Sequence, residues 1–449
     1  MMETKPQPNP QPAETLAGAF ERETGQNVSL CYQCARCSSG CPVADKMDLA
    51  PHQVMRALQL DDRSVLASDA AWLCASCYTC TARCPQSLDV AGIMDAVRIA
   101  SKRLGVPAGV ADVDRFSSHF LANVRLFGRV YELGLMAGMN LASGRPFANV
   151  GMGMGMLKRG KLNLLPALAR APRQVEPVSR DAATVAYYPG CSLHSTAREY
   201  DRSIRHVAGE LGLKLVEPPG WTCCGASAAH TSDHALATEL PLRNLRTVER
   251  MGLDTLMAPC SSCYSRTKAA AATEGASAVR VATIVETLIE RVGVEAIARR
   301  VRRPLDGLKV ACYYGCLMTR PPDIVHCENP EYPTAMEDVL KALGAEPVDW
   351  SYKTDCCGAT LGMTKTGIAL EMTRKILVNA RACGAELIVA VCPMCHVNLD
   401  ARQSQIGLGF AIPVLYLSQL MAWAFASGED EAGLRCNFVD PTQVLHRDP

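Results

Sequence analysis

The feature that most constrains this chain is a pattern of five cysteines that occurs twice. Each copy has a lone cysteine after a strand-like run, then a Cys-Cys-Gly triplet, then a Cys-x-x-Cys pair. The first set is Cys191, Cys223, Cys224, Cys260 and Cys263, and the second set is Cys316, Cys356, Cys357, Cys392 and Cys395. Adjacent cysteines rarely bridge to each other, and core packing does not explain two such sets. The fold must therefore gather ten sulfurs at two places.

Composition indicates a metalloprotein rather than a disulfide scaffold. The chain has 449 residues, 22 of them Cys, which is enough for two to four domains. The N-terminal sequence has no basic-then-apolar signal region, which predicts a cytoplasmic protein whose cysteines bind metal. A net charge of +1 and 5% aromatic residues argue against nucleic acid as a partner. The two most apolar stretches, 121–156 and 410–426, are too interrupted or too short to predict a membrane span.

Eight further cysteines form two runs near the N-terminus, Cys31-x2-Cys34-x2-Cys37-x3-Cys41-Pro and Cys74-x2-Cys77-x2-Cys80-x3-Cys84-Pro. Both runs match the bacterial ferredoxin pattern, in which the fourth Cys binds the other cluster. The pattern predicts two cubane [4Fe–4S] clusters. Cluster 1 takes Cys31, Cys34, Cys37 and Cys84, and cluster 2 takes Cys41, Cys74, Cys77 and Cys80. Zinc is the alternative, but a zinc site closes with four ligands and seldom uses this interlocked arrangement.

The periodicity of the chain predicts a multidomain α + α/β protein. We expect a flexible arm (1–25), an all-α ferredoxin-like dicluster domain (26–110), a helical connector and linker (111–180), and two duplicated α/β Cys-Cys-Gly domains (181–303 and 304–449). Apolar runs at 184–188, 214–217 and 255–257 alternate with helical stretches, including 233–251, which Pro241 is expected to kink or split. Runs at 309–314, 346–349 and 386–391 repeat this order, so each half should contain a largely parallel sheet.

The two cysteine sets are expected at the carboxyl ends of strands, where such sheets bind ligands. Both Cys-x-x-Cys pairs open helices, whose N-termini favour thiolates, and Gly225 and Gly358 fit tight turns beside a bulky cofactor. Five thiolates exceed the four that zinc or an ordinary cubane needs, which indicates an unusual or reactive cluster.

Several other residues have simpler interpretations. Cys392-Pro-Met-Cys395-His396 matches the c-type haem motif, but the first copy has Tyr264 in place of the histidine, so haem is rejected. His194 and His396 are interpreted as core or capping histidines, although either could donate a proton. Cys312, Cys327, Cys383 and Cys436 are unassigned, and Cys383 is expected to be a buried small side chain.

The doubled Cys-Cys-Gly part resembles the B subunit of heterodisulfide reductase. Residues 26 to about 170, including Gly128-Arg-Val-Tyr-Glu and Gly160-Lys-Leu, resemble the C subunit of that enzyme, so the chain is similar to a fusion of the two. The resemblance implies a noncubane [4Fe–4S] cluster in each five-Cys set, with a disulfide cleaved or formed between them. It also implies that electrons arrive from a flavin-containing protein similar to the A subunit, or from another flavoprotein. The chain would then be an oxidoreductase component that acts on a sulfur group of a small-molecule or protein disulfide.

A second resemblance leaves an alternative open. Electron-transfer subunits of glycolate, lactate or glycerol-3-phosphate dehydrogenases share the layout of two ferredoxin runs followed by paired Cys-Cys-Gly domains. There the chemistry occurs on a flavoprotein partner. A thiol-dependent fumarate reductase component is a close relative of the first interpretation. The heterodisulfide type is favoured because both five-Cys sets are complete and the connector similar to the C subunit is present.

Overall fold

The computed structural model describes residues 15–169, 172, 174–179, 181–273 and 275–446. Every regular element between residues 15 and 169 is helical, as expected for an all-α dicluster domain followed by a helical connector. The α-helices are α1 Leu16–Thr24, α2 Arg36–Ser39, α3 Pro51–Gln59, α4 Ala70–Leu73, α5 Thr79–Ala82, α6 Val90–Arg103, α7 Ala111–Phe127, α8 Glu132–Ala142 and α9 Val150–Lys158.

The expectation of a flexible arm over residues 1–25 is wrong for its second half. Thr15 caps α1 by accepting a hydrogen bond from the Gly18 amide. Leu16 and Phe20, four residues apart, lie on one face of the helix and are buried against the dicluster domain. Residues 1–14 lie outside the described residues.

The first α/β half begins at Thr184. Its elements are β1 Thr184–Tyr187, α10 Gly190–Leu193, α11 Arg198–Glu210, β2 Lys214–Val216, α12 His234–Arg250, β3 Thr255–Met257, α13 Ser261–Ala272, β4 Arg280–Ala282, α14 Ile284–Arg291 and α15 Val294–Arg300. Helix α12 runs continuously through Pro241, so the predicted split does not occur.

The second half repeats this order. Its elements are β5 Lys309–Tyr313, α16 Pro322–Val325, α17 Ala335–Ala342, β6 Glu346–Pro347, α18 Thr366–Ala382, β7 Leu387–Ala390, α19 Pro393–His396, α20 Gln403–Ile406, β8 Val414–Tyr416, α21 Leu417–Ala424, α22 Glu429–Ala432 and α23 Thr442–Leu445. A short π-helical segment, Val397–Ala401, joins α19 to α20.

Each half contains a four-stranded, wholly parallel sheet, in the orders β2-β1-β3-β4 and β6-β5-β7-β8. The chain moves outward from β1 to β2 and then returns to the other side of β1, and the second half does the same. This reversal creates a crevice between β1 and β3, and another between β5 and β7, at the carboxyl ends of the strands. Such switch points are where open α/β sheets bind ligands.

The two halves pack on each other in a reciprocal way, because α11 contacts α21 and the equivalent helix α17 contacts α14. At the centre, the rings of Tyr200 and Tyr416 stack with centroids 3.9 Å apart. The hydroxyls of Ser203 and Ser418 lie 2.7 Å apart beside them. One apolar core therefore runs through both halves and fixes the two sheets relative to each other.

The dicluster domain contacts both halves. Asp95 of α6 lies 2.7 Å from His230 of the first half, and Arg320 of the second half donates to the Thr79 hydroxyl at 2.9 Å. Arg320 is fully buried, so this contact is part of the interior. Across the described part of the chain, no helix combines the length and apolarity needed to cross a membrane.

Candidate iron–sulfur sites

The first set gathers at the crevice between β1 and β3. Cys191 lies in α10 just beyond β1, and Cys260 is the N-cap residue of α13 just beyond β3. The sulfurs of Cys224 and Cys263 are 3.2 Å apart. The pKa of Cys223 is raised well above its usual range, mainly by hydrogen bonding with Cys191 and also by hydrogen bonding with Cys224. The fold thus brings Cys191, the doublet and Cys263 into one group.

The second set has the same arrangement between β5 and β7. The sulfurs of Cys357 and Cys395 are 3.5 Å apart, and hydrogen bonding with Cys316 raises the pKa of Cys356. A cavity opens over this set. Its walls are Ala75, Ser261, Ser262, Cys316, Leu317, Cys356, Cys357, Ala359, Thr360, Cys392, Met394 and Cys395. All five predicted ligands of the second set therefore line one space, together with two serines from the first half.

A glycine precedes the lone cysteine in both sets and leaves room beside the pair sulfur. Gly190 and Gly315 have φ of +68° and +69°, a region that side chains disfavour. A Cβ on Gly190 would lie 3.1 Å from the Cys263 sulfur, and a Cβ on Gly315 would lie 3.1 Å from the Cys395 sulfur. The matching cradles and five thiols per site suit a bulky inorganic group, so the residues present fit an iron–sulfur cluster.

The two sets touch across the interface between the halves. Cys260 and Cys392 hold equivalent positions, each as the N-cap of the helix after the third strand of its half. The pKa of Cys392 is lowered well below its usual range, mainly by a hydrogen bond from the Cys260 thiol and to a smaller extent by one from Cys395. The duplication has therefore placed one cysteine of each set side by side.

The predicted ligands of cluster 2 also share one space. Cys41, Cys74, Cys77 and Cys80 all line a cavity between α3, α5 and α6, so the crosswise assignment keeps its four thiols together. Burial raises the pKa of Cys74 to about 11 and that of Cys41 to about 12. Cys77 differs, because a hydrogen bond from Cys356 lowers its pKa to about 6. The dicluster domain thus places a thiol directly against the second set.

The predicted ligands of cluster 1 lie nearer the surface. Cys34 is exposed, Cys31 and Cys84 are half-buried, and Cys37 is buried. Burial raises the pKa of Cys37, and the nearby Cys31 and Cys34 raise it further. Loss of solvation raises the pKa of Tyr32, and Cys34 and Cys84 add to that rise. The Gln33 side chain donates to the Cys31 sulfur at 3.3 Å. Cluster 1 would therefore face solvent, whereas cluster 2 would face the second set.

The connector supplies contacts that the sequence did not predict. The Val130 amide donates to the Cys191 sulfur at 3.3 Å, and the Cys223 amide donates to the Gly128 carbonyl at 2.8 Å. The guanidinium of Arg129 lies 3.6 Å above the Trp221 ring, and its Nε donates to the Trp221 carbonyl at 3.2 Å. The distinctive sequence Gly128-Arg-Val was the only signal that could have indicated these contacts. This segment covers the first set.

Cationic side chains accompany the thiols. Arg402 is buried, and its charge interacts with Cys357. The charge of Arg320 helps to lower the pKa of Cys77. Arg129 is half-buried, and its charge interacts with Cys191. Buried guanidinium groups offset the negative charge that several thiolates and a cluster would bring to a low-dielectric interior. Among the described residues, no group of three or more His, Cys, Asp or Glu side chains is arranged to hold a single metal ion.

The two histidines have structural contacts. His396 is fully buried, stacks on Tyr416 with ring centroids 4.0 Å apart, and places Nε2 2.9 Å from the Val414 carbonyl. His194 lies 3.3 Å from Glu217 and packs edge-on against Trp221.

The remaining cysteines lie apart from both sets. Cys312 is fully buried in β5, and Cys327 and Cys436 are half-buried. The expectation that Cys383 is buried is wrong. It caps the carboxyl end of α18 and is exposed, because the buried face of that helix ends at Ala380.

Comparison with known families agrees with these sites. A family model described as "Cysteine-rich domain" matches residues 185–267 and 310–400. A second, described as "4Fe-4S dicluster domain", matches residues 30–89. The matched ranges contain all ten cysteines of the two sets and all eight of the ferredoxin runs.

Three relatives extend the comparison to whole proteins. The 8-methylmenaquinol:fumarate reductase membrane anchor subunit of Wolinella succinogenes is 34% identical over 279 residues, which are 58% of this chain and 98% of the relative. The B subunit of the ferredoxin/F(420)H(2)-dependent CoB-CoM heterodisulfide reductase of Methanosarcina acetivorans is 30% identical over 290 residues, covering 59% and 96%. The iron-sulfur C subunit of the CoB–CoM heterodisulfide reductase of Methanopyrus kandleri is 34% identical over 97 residues, covering 21% and 50%.

Proposed function

The chain belongs to the family of the heterodisulfide reductase B subunit, with a part similar to the C subunit fused before it, and we propose that it is the disulfide-reducing component of a multisubunit complex. As an iron–sulfur electron-transfer protein it is an oxidoreductase component. We assign two cubane clusters to the ferredoxin cysteines and one noncubane cluster to each five-Cys set. These clusters would supply one-electron steps, and the chain's own residues determine where electrons can go.

A row of touching thiols is the observation that carries this proposal. Cys77 of the dicluster domain contacts Cys356 of the second set, and Cys392 of the second set contacts Cys260 of the first set. Cys34, at the other end, is exposed. The order of these contacts supports electron flow from the solvent-facing side of the dicluster domain to the second set and then to the first.

The cavity over the second set supports a sulfur substrate. Cys316 and the second-set doublet line it, and Ser261 and Ser262 bring the other half to its wall. Reducing one disulfide consumes two electrons and two protons, breaks the S–S bond and leaves two thiols. Two neighbouring one-electron sites meet that requirement, because each can accept one sulfur of the cleaved bond.

A partner must deliver the electrons. The residues near Cys34 favour docking at this end, because Tyr32 is 59% exposed and next to the predicted cluster 1 ligands. We propose a flavoprotein as the partner, since a flavin can accept two electrons from a reductant and pass them on one at a time. The substrate would be a small-molecule or protein disulfide.

Iron analysis tests the assignment. Four clusters predict about 16 iron atoms per anaerobically purified chain. About 8 iron atoms would confine iron to the ferredoxin cysteines and contradict the two further sites. Adding a thiol to the oxidised protein should change an EPR signal, and Cys357→Ser should abolish that change. Cys383→Ser is the matched control, because Cys383 is exposed and lies outside both sets.

A second candidate function follows from the Wolinella relative, which is named as a subunit of a fumarate reductase. Here the chain would carry electrons between a donor and a fumarate-reducing flavoprotein without cleaving a disulfide itself. The dehydrogenase alternative predicts the same behaviour for this chain. Reduced viologen discriminates these candidates from the first, because only a disulfide-reducing protein should release thiols from a disulfide with viologen as the sole electron source.

A further inference from the structure

The connector carries an exposed apolar surface that the proposed function does not use. Of the fifteen large apolar side chains that are exposed among the described residues, nine lie between residues 126 and 168. That range is about a tenth of the chain. Scattered exposed apolar residues are normal in soluble proteins, but a concentrated group marks an interaction site.

Helix α9 shows how the surface is built. Val150, Met154 and Leu157 are exposed, and their spacing of four and three residues puts them on one helical face. Other positions of the helix pack on the protein: Gly153 and Met156 are buried, Gly153 approaches Met136 of α8, and Gly155 approaches Phe438. The helix therefore turns an apolar face outward, where a solvent-facing helix normally carries polar residues.

Two segments next to α9 in the sequence carry further exposed apolar side chains. Leu141 and Phe147 precede α9, and Phe147 is 85% exposed, so its ring protrudes. Leu164 and Leu165 follow α9 and are also exposed. We call these four residues, together with Val150, Met154 and Leu157, the connector surface.

The charge around the connector surface is mainly positive. Residues 111–169 contain seven basic and three acidic residues, although the whole chain has a net charge of only +1. Asp112 forms ion pairs with Arg115 and Arg145, whereas Arg125 and Lys158 are exposed. A positive rim around protruding apolar side chains complements a negatively charged bilayer surface.

We propose that the connector surface docks this protein on the surface of an anionic lipid bilayer. Phe147 and the exposed face of α9 insert among the acyl chains near the headgroups, and Arg125 and Lys158 pair with lipid phosphates. This goes beyond the proposed function and does not depend on it, because the connector surface contains none of the predicted cluster ligands. No acidic side chain is exposed in the described residues 111–169, so none there would repel anionic lipid.

Vesicle flotation with the anaerobically purified full chain tests the proposal. Vesicles of phosphatidylcholine with about 30 mol% phosphatidylglycerol should carry the protein, and vesicles of phosphatidylcholine alone should carry much less. Raising salt from about 0.05 M to about 0.5 M should weaken flotation, because exposed charges are screened. Lys158→Glu should reduce partitioning by roughly five-fold or more, and Phe147→Asp by roughly ten-fold or more.

Matched variants test whether any exposed apolar or basic residue would have the same effect on flotation. Leu104→Asp replaces an exposed leucine in the dicluster part, and Arg63→Glu reverses an exposed charge there. Both should float as the parent chain does, and thermal melting should show that all four variants are folded. The proposal is overturned if the parent does not float with anionic vesicles, or if Leu104→Asp weakens flotation as much as Phe147→Asp. It is also overturned if the chain forms dimers that Phe147→Asp dissociates and no vesicle binding is seen, because the occupant is then a second copy.

Discussion

Gly190 and Gly315 are the residues at which a single added methyl group should disturb one cysteine set and leave the other alone. Each has a positive φ and faces the sulfur of the second Cys-x-x-Cys cysteine at 3.1 Å from a hypothetical Cβ. We expect Gly190→Ala to lower the iron bound by the first set, by up to about four atoms per chain. Gly315→Ala should do the same for the second set. Iron analysis with EPR of the remaining signals measures both.

A control variant separates the effect of the methyl group from that of backbone strain. Gly212 has φ of +74°, and a Cβ there would meet nothing within 4 Å. Gly212→Ala therefore has the same cost of placing Ala in the left-handed region, about 1–2 kcal/mol, without approaching a sulfur. If Gly212→Ala loses as much iron as Gly190→Ala, the proposed cradle has no specific role.

The grouping of the cysteines could be predicted from the sequence, whereas their surroundings could not. Cysteine spacing and the helical start after each strand are local properties, so they indicated which thiols share a site. The approach of Gly190 to Cys263 is different, because these residues are 73 positions apart in sequence and meet only after β1 and β3 pair. The misassignment of Cys383 has a simpler cause, since Cys383 is one residue beyond the end of α18 and three beyond its last buried residue, Ala380.

At the scale of elements, the segment between α7 and α8 contacts the first set directly. Its Val130 amide donates to the Cys191 sulfur, and Arg129 holds the segment in place through Trp221. Hydrogen bonds to sulfur and nearby positive charge raise the reduction potential of a cluster. The segment should therefore make iron in the first set easier to reduce.

Arg129→Ala tests this role. Loss of the stacked guanidinium removes a positive charge and loosens the Val130 amide, so we expect the reduction potential of the first set to fall by roughly tens of millivolts. The second set should keep its potential. EPR-monitored redox titration measures both. Arg125→Ala removes an exposed charge four residues earlier and should shift neither potential, and equal shifts in the two sets would contradict the local role of Arg129.

The order of strands and helices in both halves followed from periodicity, but helix α1 was missed. The Pro- and Gln-rich residues 3–12 dominated the prediction for the first 25 positions, although Leu16 and Phe20 have the spacing of a buried helical face. The continuity of α12 through Pro241 was also missed. Packing of buried Leu240, Leu242 and Leu245 stabilises this helix beyond what local propensity indicates.

At the scale of the whole molecule, the duplication is symmetric and its surroundings are not. The halves share strand order, glycine positions and cysteine positions. The second set is covered by Ala75 and Cys77 of the dicluster domain, and the first set is covered by the connector. No repeat within the sequence predicts this, because the covering segments precede both halves. The asymmetry gives the two sets different neighbours, and we expect their reduction potentials to differ for that reason.

The connector is fastened to the interface between the halves by one buried ion pair. Lys161 Nζ lies 2.7 Å from Glu199 Oε1, and both side chains are almost fully buried. Asp400 is also near Lys161. Burial raises the pKa of Asp400 to about 6, and the charge of Lys161 opposes that rise. The positive charge of Lys161, which is part of the connector, therefore compensates the negative charge of acidic side chains from both halves.

Lys161→Ala should release the connector, because it leaves the Glu199 carboxylate buried without a cation. Breaking a buried pair in this way costs about 3–5 kcal/mol. The amides of α9 should then exchange with deuterium at least about 100-fold faster, which mass spectrometry can measure. Lys158→Ala is the control, since Lys158 is exposed three residues earlier and such a change is worth at most about 0.5 kcal/mol.

The double variant Lys161→Met with Glu199→Leu distinguishes a charge effect from a loss of packing. Apolar side chains of similar volume can replace a buried ion pair with little loss of stability. We therefore expect exchange in α9 to return close to the parent rate when both charges are removed together. If the double variant exchanges as fast as Lys161→Ala, the ion pair is not what holds the connector, and contacts such as Arg159 with Phe438 must do so instead.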